Sequence, residues 1–240
     1  MSMSSPLLIS QQMLSLLGTR TFIYHQDRVP QESAVVVISN HRSFMDAPLL
    51  MAALDRTIRF ACHHYMGQVP VLREFVTRMG CFPLDEPDHR QRSFFHQATQ
   101  LLQSRQVVGI FPEGAEPMVQ LTNPSEMGEF QRGFAHLALR APVRDLAILP
   151  VAIAPQTEFS TSPFPLKLLS WVDPSEPLFN QSGWHPMVLY RRVNVAIGHP
   201  IWLTDAQRQR YSGKHAKTVV TDLTTQCQAE IQTLLHDCLK

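Results

Sequence analysis

The sequence predicts a single α/β domain: a central, twisted, mostly parallel β-sheet flanked by helices and preceded by a short N-terminal helix. Three observations carry this. Short continuous runs of β-branched and other apolar residues recur at 34–39, 107–110 and 147–153, as expected of strands buried on both faces. Longer stretches between and after them place apolar residues every three or four positions, the pattern of helices that cover a sheet. A chain of 240 residues, 44% of them apolar, is also long enough to close one sizeable core. We expect residues 1–19 to form an N-terminal helical segment and residues 20–240 the domain proper.

Taken in order, residues 6–17 read as a helix, either packed on the domain or lying at a membrane interface. Residues 19–25 read as a first strand, and 27–33, with Pro30, as a turn. The strand 34–39 follows, then an apolar Leu/Met/Ala-rich helix within 44–54. Residues 57–62 are a strand leading to His63-His64-Tyr65, where adjacent histidines face different ways and do not make a metal site by themselves. Pro70 opens a helix to about Met79, and 81–84 are a short strand or turn. Residues 88–105 form a long helix in which Phe94, Phe95, Ala98, Leu101 and Leu102 share a face. A loop over 115–129 suits a lid or an acceptor-binding segment, and a helix spans 130–140. Residues 155–187 hold prolines at 155, 163, 165, 174, 177 and 186 and read as irregular. Within them 164–172 is an apolar stretch that either dips toward lipid or folds over the core. Residues 191–198 alternate like a strand. Thr204 and Asp205 cap a helix, and Val220, Leu223, Cys227, Ile231, Leu234 and Cys238 give the spacing of a last one.

The chemistry concentrates in Asn40-His41-Arg42-Ser43-Phe44-Met45-Asp46, at a strand-to-helix turn where α/β folds commonly place function. On one regular helix His41 and Asp46 would point about 140° apart, because each residue turns about 100°. They meet only if the chain bends between them, with His41 outside the helix and Asp46 in its first turn. The carboxylate then accepts from one imidazole nitrogen and leaves the other as a base with its tautomer set. A second role fits the same residues. Ser43 and Asp46, three apart, can form a capping box in which Asp46 only satisfies backbone donors.

A second cluster is Val107-Val108-Gly109-Ile110-Phe111-Pro112-Glu113-Gly114, a strand that ends in a tight turn. Pro112 stops the strand, and Gly114 lets backbone approach a ligand. Glu113 stands at a strand end, as His41 does. In this order the clusters resemble the glycerolipid acyltransferases, the family that includes lysophosphatidic acid acyltransferase. That family's N-H-x4-D block is matched by Asn40, His41 and Asp46. Its F-P-E-G block is matched by Phe111, Pro112, Glu113 and Gly114. Its last apolar block around a proline is matched by 148–153, and its second block in part by 80–84. The resemblance covers roughly residues 20–201. Two positions depart from it: Asp85 stands where the family usually has the second block's arginine, and Ala115-Glu116-Pro117 replaces a T-R-S continuation. Arginines there suit bidentate contacts to an acceptor phosphate.

The resemblance implies an O-acyltransferase that moves a fatty acyl group from acyl-CoA or acyl carrier protein to the hydroxyl of a lysophospholipid such as 1-acylglycerol-3-phosphate. It implies His41 as general base and Asp46 as its orienter. Asn40, Ser43, Phe111, Pro112, Glu113, Gly114 and Arg132 are the expected substrate-binding residues. Backbone donors of the 40–46 turn are the expected oxyanion site. No cofactor beyond the thioester co-substrate is expected, and no metal. Transfer to a non-phosphorylated alcohol, or hydrolysis by the same base, are the alternative readings.

Composition narrows the partners. Net charge is +1, and there is no basic-aromatic platform, so no nucleic acid is expected. Cys62, Cys81, Cys227 and Cys238 form no short-spaced pair and read as reduced structural thiols. No run reaches the ~18–20 apolar residues of a membrane span. The expected setting is cytoplasmic and peripheral to a membrane surface, with lipid acceptor and thioester donor as partners.

Overall fold

Four consecutive β-branched residues, Val35-Val36-Val37-Ile38, make β2 (Ala34–Ser39) the strand around which the sheet is laid down; all six of its residues are buried. The structure, a computed structural model, describes residues 5–62, 70–84, 87–114, 123–165 and 184–239. In chain order the elements are α1 (Pro6–Leu16), β1 (Arg20–Tyr24), β2, α2 (Asp46–Leu54), β3 (Ile58–Cys62), α3 (Pro70–Arg78), β4 (Phe82–Pro83) and α4 (Pro87–Gln103). Then follow β5 (Val107–Ile110), α5 (Gly133–Arg140), β6 (Leu146–Pro165), β7 (Trp184–Ile197), β8 (Ile201–Trp202), α6 (Asp205–Tyr211) and α7 (Ala216–Leu239). The strands form one sheet in the order β1-β7-β6-β2-β5-β3-β4, with β8 paired to β6. Among the described residues only the β6–β7 and β6–β8 pairings are antiparallel, so the mostly parallel α/β architecture expected from the sequence is present.

The period of two in β2 sorts its side chains between two cores. Val36 and Ile38 pack with Leu102 of α4, Phe134 and Leu137 of α5 and Leu223 of α7. Val35 and Val37 pack with Leu49, Leu50 and Leu54 of α2 and Leu14 of α1. Helices α4, α5 and α7 therefore cover one face of the sheet, and α1 and α2 the other. Helix α1 packs on α2 through buried Ser10, whose hydroxyl reaches Met51 Sδ at 3.4 Å, while its Leu8 and Leu16 stay exposed. Parallel pairing sets Ile38 of β2 beside Ile110 of β5. The segments that follow the two strands leave the same edge of the sheet together, and this brings the two motifs into contact.

The proline-rich stretch departs from expectation. Residues 155–165 and 184–187 are not loop but the outer parts of β6 and β7, a long antiparallel ribbon paired from Val151–Ile197 out to Pro165–Trp184. Prolines fit because the ladder is irregular where they fall. Pro155 borders one register shift, and Pro163 and Pro186 lie within another, between the Thr161–Met187 and Phe164–His185 pairs. The helix expected over 130–140 begins at Gly133, because residues 130–132 are tied back to the 111–114 turn by Gln131 N donating to Pro112 O at 2.9 Å. Thr204 does cap a helix, through a capping box with Gln207. His63-His64-Tyr65, Asp85, Ala115-Glu116-Pro117 and residues 166–172 of the apolar stretch lie outside the described residues.

Candidate active site

The turn between β2 and α2 closes on one carboxylate. Asp46, fully buried, takes Arg42 N at 2.7 Å and Ser43 N at 2.8 Å on Oδ2, and Tyr190 OH at 2.8 Å on Oδ1. His41 Nδ1 lies 2.9 Å from the same Oδ2. A carboxylate only accepts, so Nδ1 carries the proton and Nε2 bears the lone pair. Nε2 has no protein partner among the described residues, and the side chain keeps 16% of its surface open. Asp46 thus holds the turn through two backbone donors and holds the imidazole ring, while the Ser43–Asp46 capping box is not formed, because Asp46 N donates to Ser43 O.

One expectation for this turn fails. Its backbone cannot supply an oxyanion site as a unit, because its donors are already used. His41 N goes to Glu113 Oε1, Arg42 N and Ser43 N to Asp46, Met45 N to Ser43 Oγ and Asp46 N to Ser43 O. Between 41 and 46 only Phe44 N has no acceptor among the described residues.

The second motif packs directly on the first. The Phe111 ring stacks on His41 with centroids 3.9 Å apart and planes 10° from parallel, and Phe60 stacks behind Phe111 at 5.2 Å. Gly109 makes room for this column, since a Cβ there would collide with the Phe60 ring. We expect Gly109→Ala to cost about 1–3 kcal/mol, the usual cost of overpacking. It should also lower activity by tilting the Phe60–Phe111–His41 column. Denaturant melts and initial rates on one preparation check both.

Glu113 is buried and works as a brace. Oε1 accepts His41 N at 2.9 Å and Oε2 accepts Gly128 N at 2.6 Å, tying the β5 turn to the β2 turn and to the segment before α5. Burial pushes its carboxyl above the ordinary carboxylate range; the Gly128 and His41 N–H groups pull it back only in part. A carboxyl with a raised folded value favours the folded chain while protonated. That contribution is whole below the unfolded value and is lost as pH climbs through the folded one. Glu113→Gln should therefore gain stability relative to wild type as pH rises through that window, and the difference should level off above it. The amide's poorer fit to two N–H donors adds a cost that does not vary with pH. Melts in a pH series separate the two.

The other expected site residues divide clearly. Asn40 is spent on the sheet: Nδ2 donates to Ile153 O at 2.9 Å and Oδ1 accepts Ile153 N at 2.8 Å, fixing the end of β2 to β6. Ser43 is buried and donates to Val188 O at 2.6 Å. Pro112 accepts from Gln131, and Gly114 turns at φ +78° against the Gln131 side chain. Arg132 stands apart, lining a cleft between α5, α6 and α7.

Three site residues have no signal in the sequence pattern. Tyr190 and Val188 on β7 hold Asp46 and Ser43, and Glu158 on β6 takes Arg42 through Nε at 2.9 Å and Nη2 at 2.6 Å. The ribbon thus holds the turn and the first residue of α2. Burial pushes the Cys62 thiol up to about 12 and the Cys81 thiol up to about 11, away from the thiolate form a nucleophile needs.

A model of the Acyltransferase family matches residues 20–154, a span that contains both motifs and the last apolar block. The chain belongs to this acyltransferase family. A curated relative, the probable 1-acyl-sn-glycerol-3-phosphate acyltransferase of Mycoplasma pneumoniae, is 25% identical over 145 residues, 58% of this chain and 51% of the relative. The chain thus spans about half the length of that relative. The crystal structure of the 1-acyl-sn-glycerophosphate (LPA) acyltransferase PlsC from Thermotoga maritima superposes with a TM-score of 0.62 at 15% identity, covering 97% of this chain and 77% of that one. At that identity the likeness concerns the fold. Among the described residues, no helix is long and apolar enough to cross a membrane.

Proposed function

We propose that the chain is an O-acyltransferase carrying a fatty acyl group from acyl-CoA or acyl carrier protein to the hydroxyl of a lysophospholipid of the 1-acylglycerol-3-phosphate type. The observation that carries this is His41 held by Asp46 through Nδ1, with Nε2 free of protein partners beside Phe111. In this reading Nε2 takes the proton of the acceptor hydroxyl as its oxygen attacks the thioester carbonyl carbon. The C–S bond breaks, an O–C bond forms, and the imidazolium returns the proton to the leaving thiolate. Asp46 holds the ring and balances its positive charge during the step. Glu113 keeps the two turns together, so the acceptor meets a pre-formed site.

The two similar proteins, named for acyl transfer to 1-acylglycerol-3-phosphate, support this acceptor class. Phe44 beside the base, and Leu8 and Leu16 on α1, are exposed, which suits an acceptor met at a membrane surface with the protein peripheral to it. A second reading, a non-phosphorylated lipid alcohol, is favoured by Asp85 and Glu116 at positions where the family carries arginines.

The test is an acceptor panel with labelled acyl-CoA and acyl carrier protein. Ester formation on 1-acylglycerol-3-phosphate is the expected result. Transfer only to neutral alcohols would support the second reading. Release of free fatty acid with every acceptor would replace both with a hydrolase.

A further inference from the structure

On the face of the sheet opposite α2, helices α5, α6 and α7 border an open cleft of about 390 Å³. Arg132 approaches it from just before α5, His136 and Arg140 from α5, Tyr211 from α6, and Lys217 and Val220 from α7. His136 and Arg140 are four apart on one side of α5, and Arg132, the residue at its N-cap, stands four before His136. Among the described residues no carboxylate lines the cleft, and Arg132, Arg140 and Lys217 form no ion pair. The first turn of the 24-residue α7 also opens here, adding the positive end of its dipole.

The cleft is ordered as well as charged. Arg140 Nε donates to Tyr211 OH at 2.6 Å, and the same hydroxyl lies 3.0 Å from His136 Nδ1. The Arg140 guanidinium rests over the Phe95 and Tyr211 rings, 5.9 and 5.8 Å from their centroids. This leaves its terminal nitrogens free to bind an anion. Burial and the two neighbouring guanidinium groups, Arg140 and Arg132, push the His136 imidazole below its ordinary value, consistent with an uncompensated positive field. Cations gathered without counter-charges repel one another, and a bound anion turns that repulsion into attraction. The volume falls in the range of small-molecule sites. Guanidinium and ammonium groups at a helix N-terminus match phosphate in particular.

We propose that this cleft binds a phosphate-bearing small molecule at a site separate from the His41–Asp46 pair. Two sources share that chemistry: the nucleotide end of a thioester donor and the headgroup of a phospholipid. Adenosine 3′,5′-bisphosphate and glycerol 3-phosphate serve as probes of the two in calorimetric titrations of the full chain at low salt. Tighter binding of the bisphosphate supports the nucleotide source, and tighter binding of glycerol 3-phosphate the lipid source.

Lys217 is exposed, so Lys217→Gln leaves packing intact. Arg140→Gln tests the residue ordered by Tyr211. Each is expected to weaken binding about tenfold, as loss of one charge-assisted hydrogen bond does. Equal affinity in wild type and in folded Lys217→Gln would overturn the proposal. So would failure of both probes to bind wild type more tightly than about 1 mM. The site does not depend on the transfer reaction: His41→Ala should bind the probes as wild type does, so the two readings fail separately.

Discussion

His41→Ala is expected to lower acyl transfer by about 10²–10⁴-fold, the usual contribution of a positioned general base, while the chain stays folded. The geometry explains why these outcomes separate. The imidazole contributes one hydrogen bond to Asp46 and one stacking face to Phe111. Without it, Asp46 still accepts from Arg42 N, Ser43 N and Tyr190 OH, so no buried charge is orphaned. The stability cost should stay near that of one net hydrogen bond, about 1 kcal/mol. His41 N is a backbone donor, and its bond to Glu113 survives the substitution. Initial rates with saturating donor and acceptor, run beside a thermal melt, test both parts. Near wild-type turnover in the variant would take His41 out of the chemistry.

The parts of this site legible in the sequence are those built from neighbours along the chain. Four β-branched residues in a row mark β2 as a central strand, and the spacing of His41 and Asp46 requires a bend between them. The capping signal of Ser43 and Asp46 is met only in part: Asp46 accepts Ser43 N, but α2 starts at Asp46 with no side-chain cap and Asp46 N goes to Ser43 O, so the box itself does not form. What could not be read is whatever comes from far along the chain. Tyr190 reaches Asp46 across 144 residues, and Glu158 reaches Arg42 across 116. No local pattern marks a tyrosine in an alternating strand as a carboxylate ligand. The ribbon that carries both was hidden because prolines normally argue against a strand, and register shifts that absorb them are a property of two strands together. The oxyanion expectation failed for a related reason. A bend tight enough to bring His41 onto Asp46 consumes its own N–H groups in holding that shape.

Asp46→Asn is the second large effect expected, and it tests what the carboxylate does beyond shaping the turn. An asparagine can place its oxygen where Oδ2 lies, keeping the bonds from Arg42 N, Ser43 N and His41 Nδ1. Its NH₂ then faces the Tyr190 hydroxyl, which can turn and accept. The turn and the imidazole tautomer survive, but the negative charge is gone. An imidazolium formed during the reaction loses a charge-assisted bond worth about 1.5–3 kcal/mol, so kcat should fall about 10–10²-fold. KM should change little, because Asp46 is fully buried and its oxygens are taken by protein donors. Tyr190→Phe removes only the bond to Oδ1 and should cost far less by itself. In the Asp46→Asn background the same change strips the amide of its acceptor inside a buried site, so the two losses should exceed their sum. A kcat loss for Asp46→Asn no larger than that for Tyr190→Phe would reduce Asp46 to a helix cap. A rise in KM instead would place it against the substrate. The combination of low kcat, unchanged KM and a non-additive partner on the ribbon is expected only of a carboxylate that acts through the imidazole it holds.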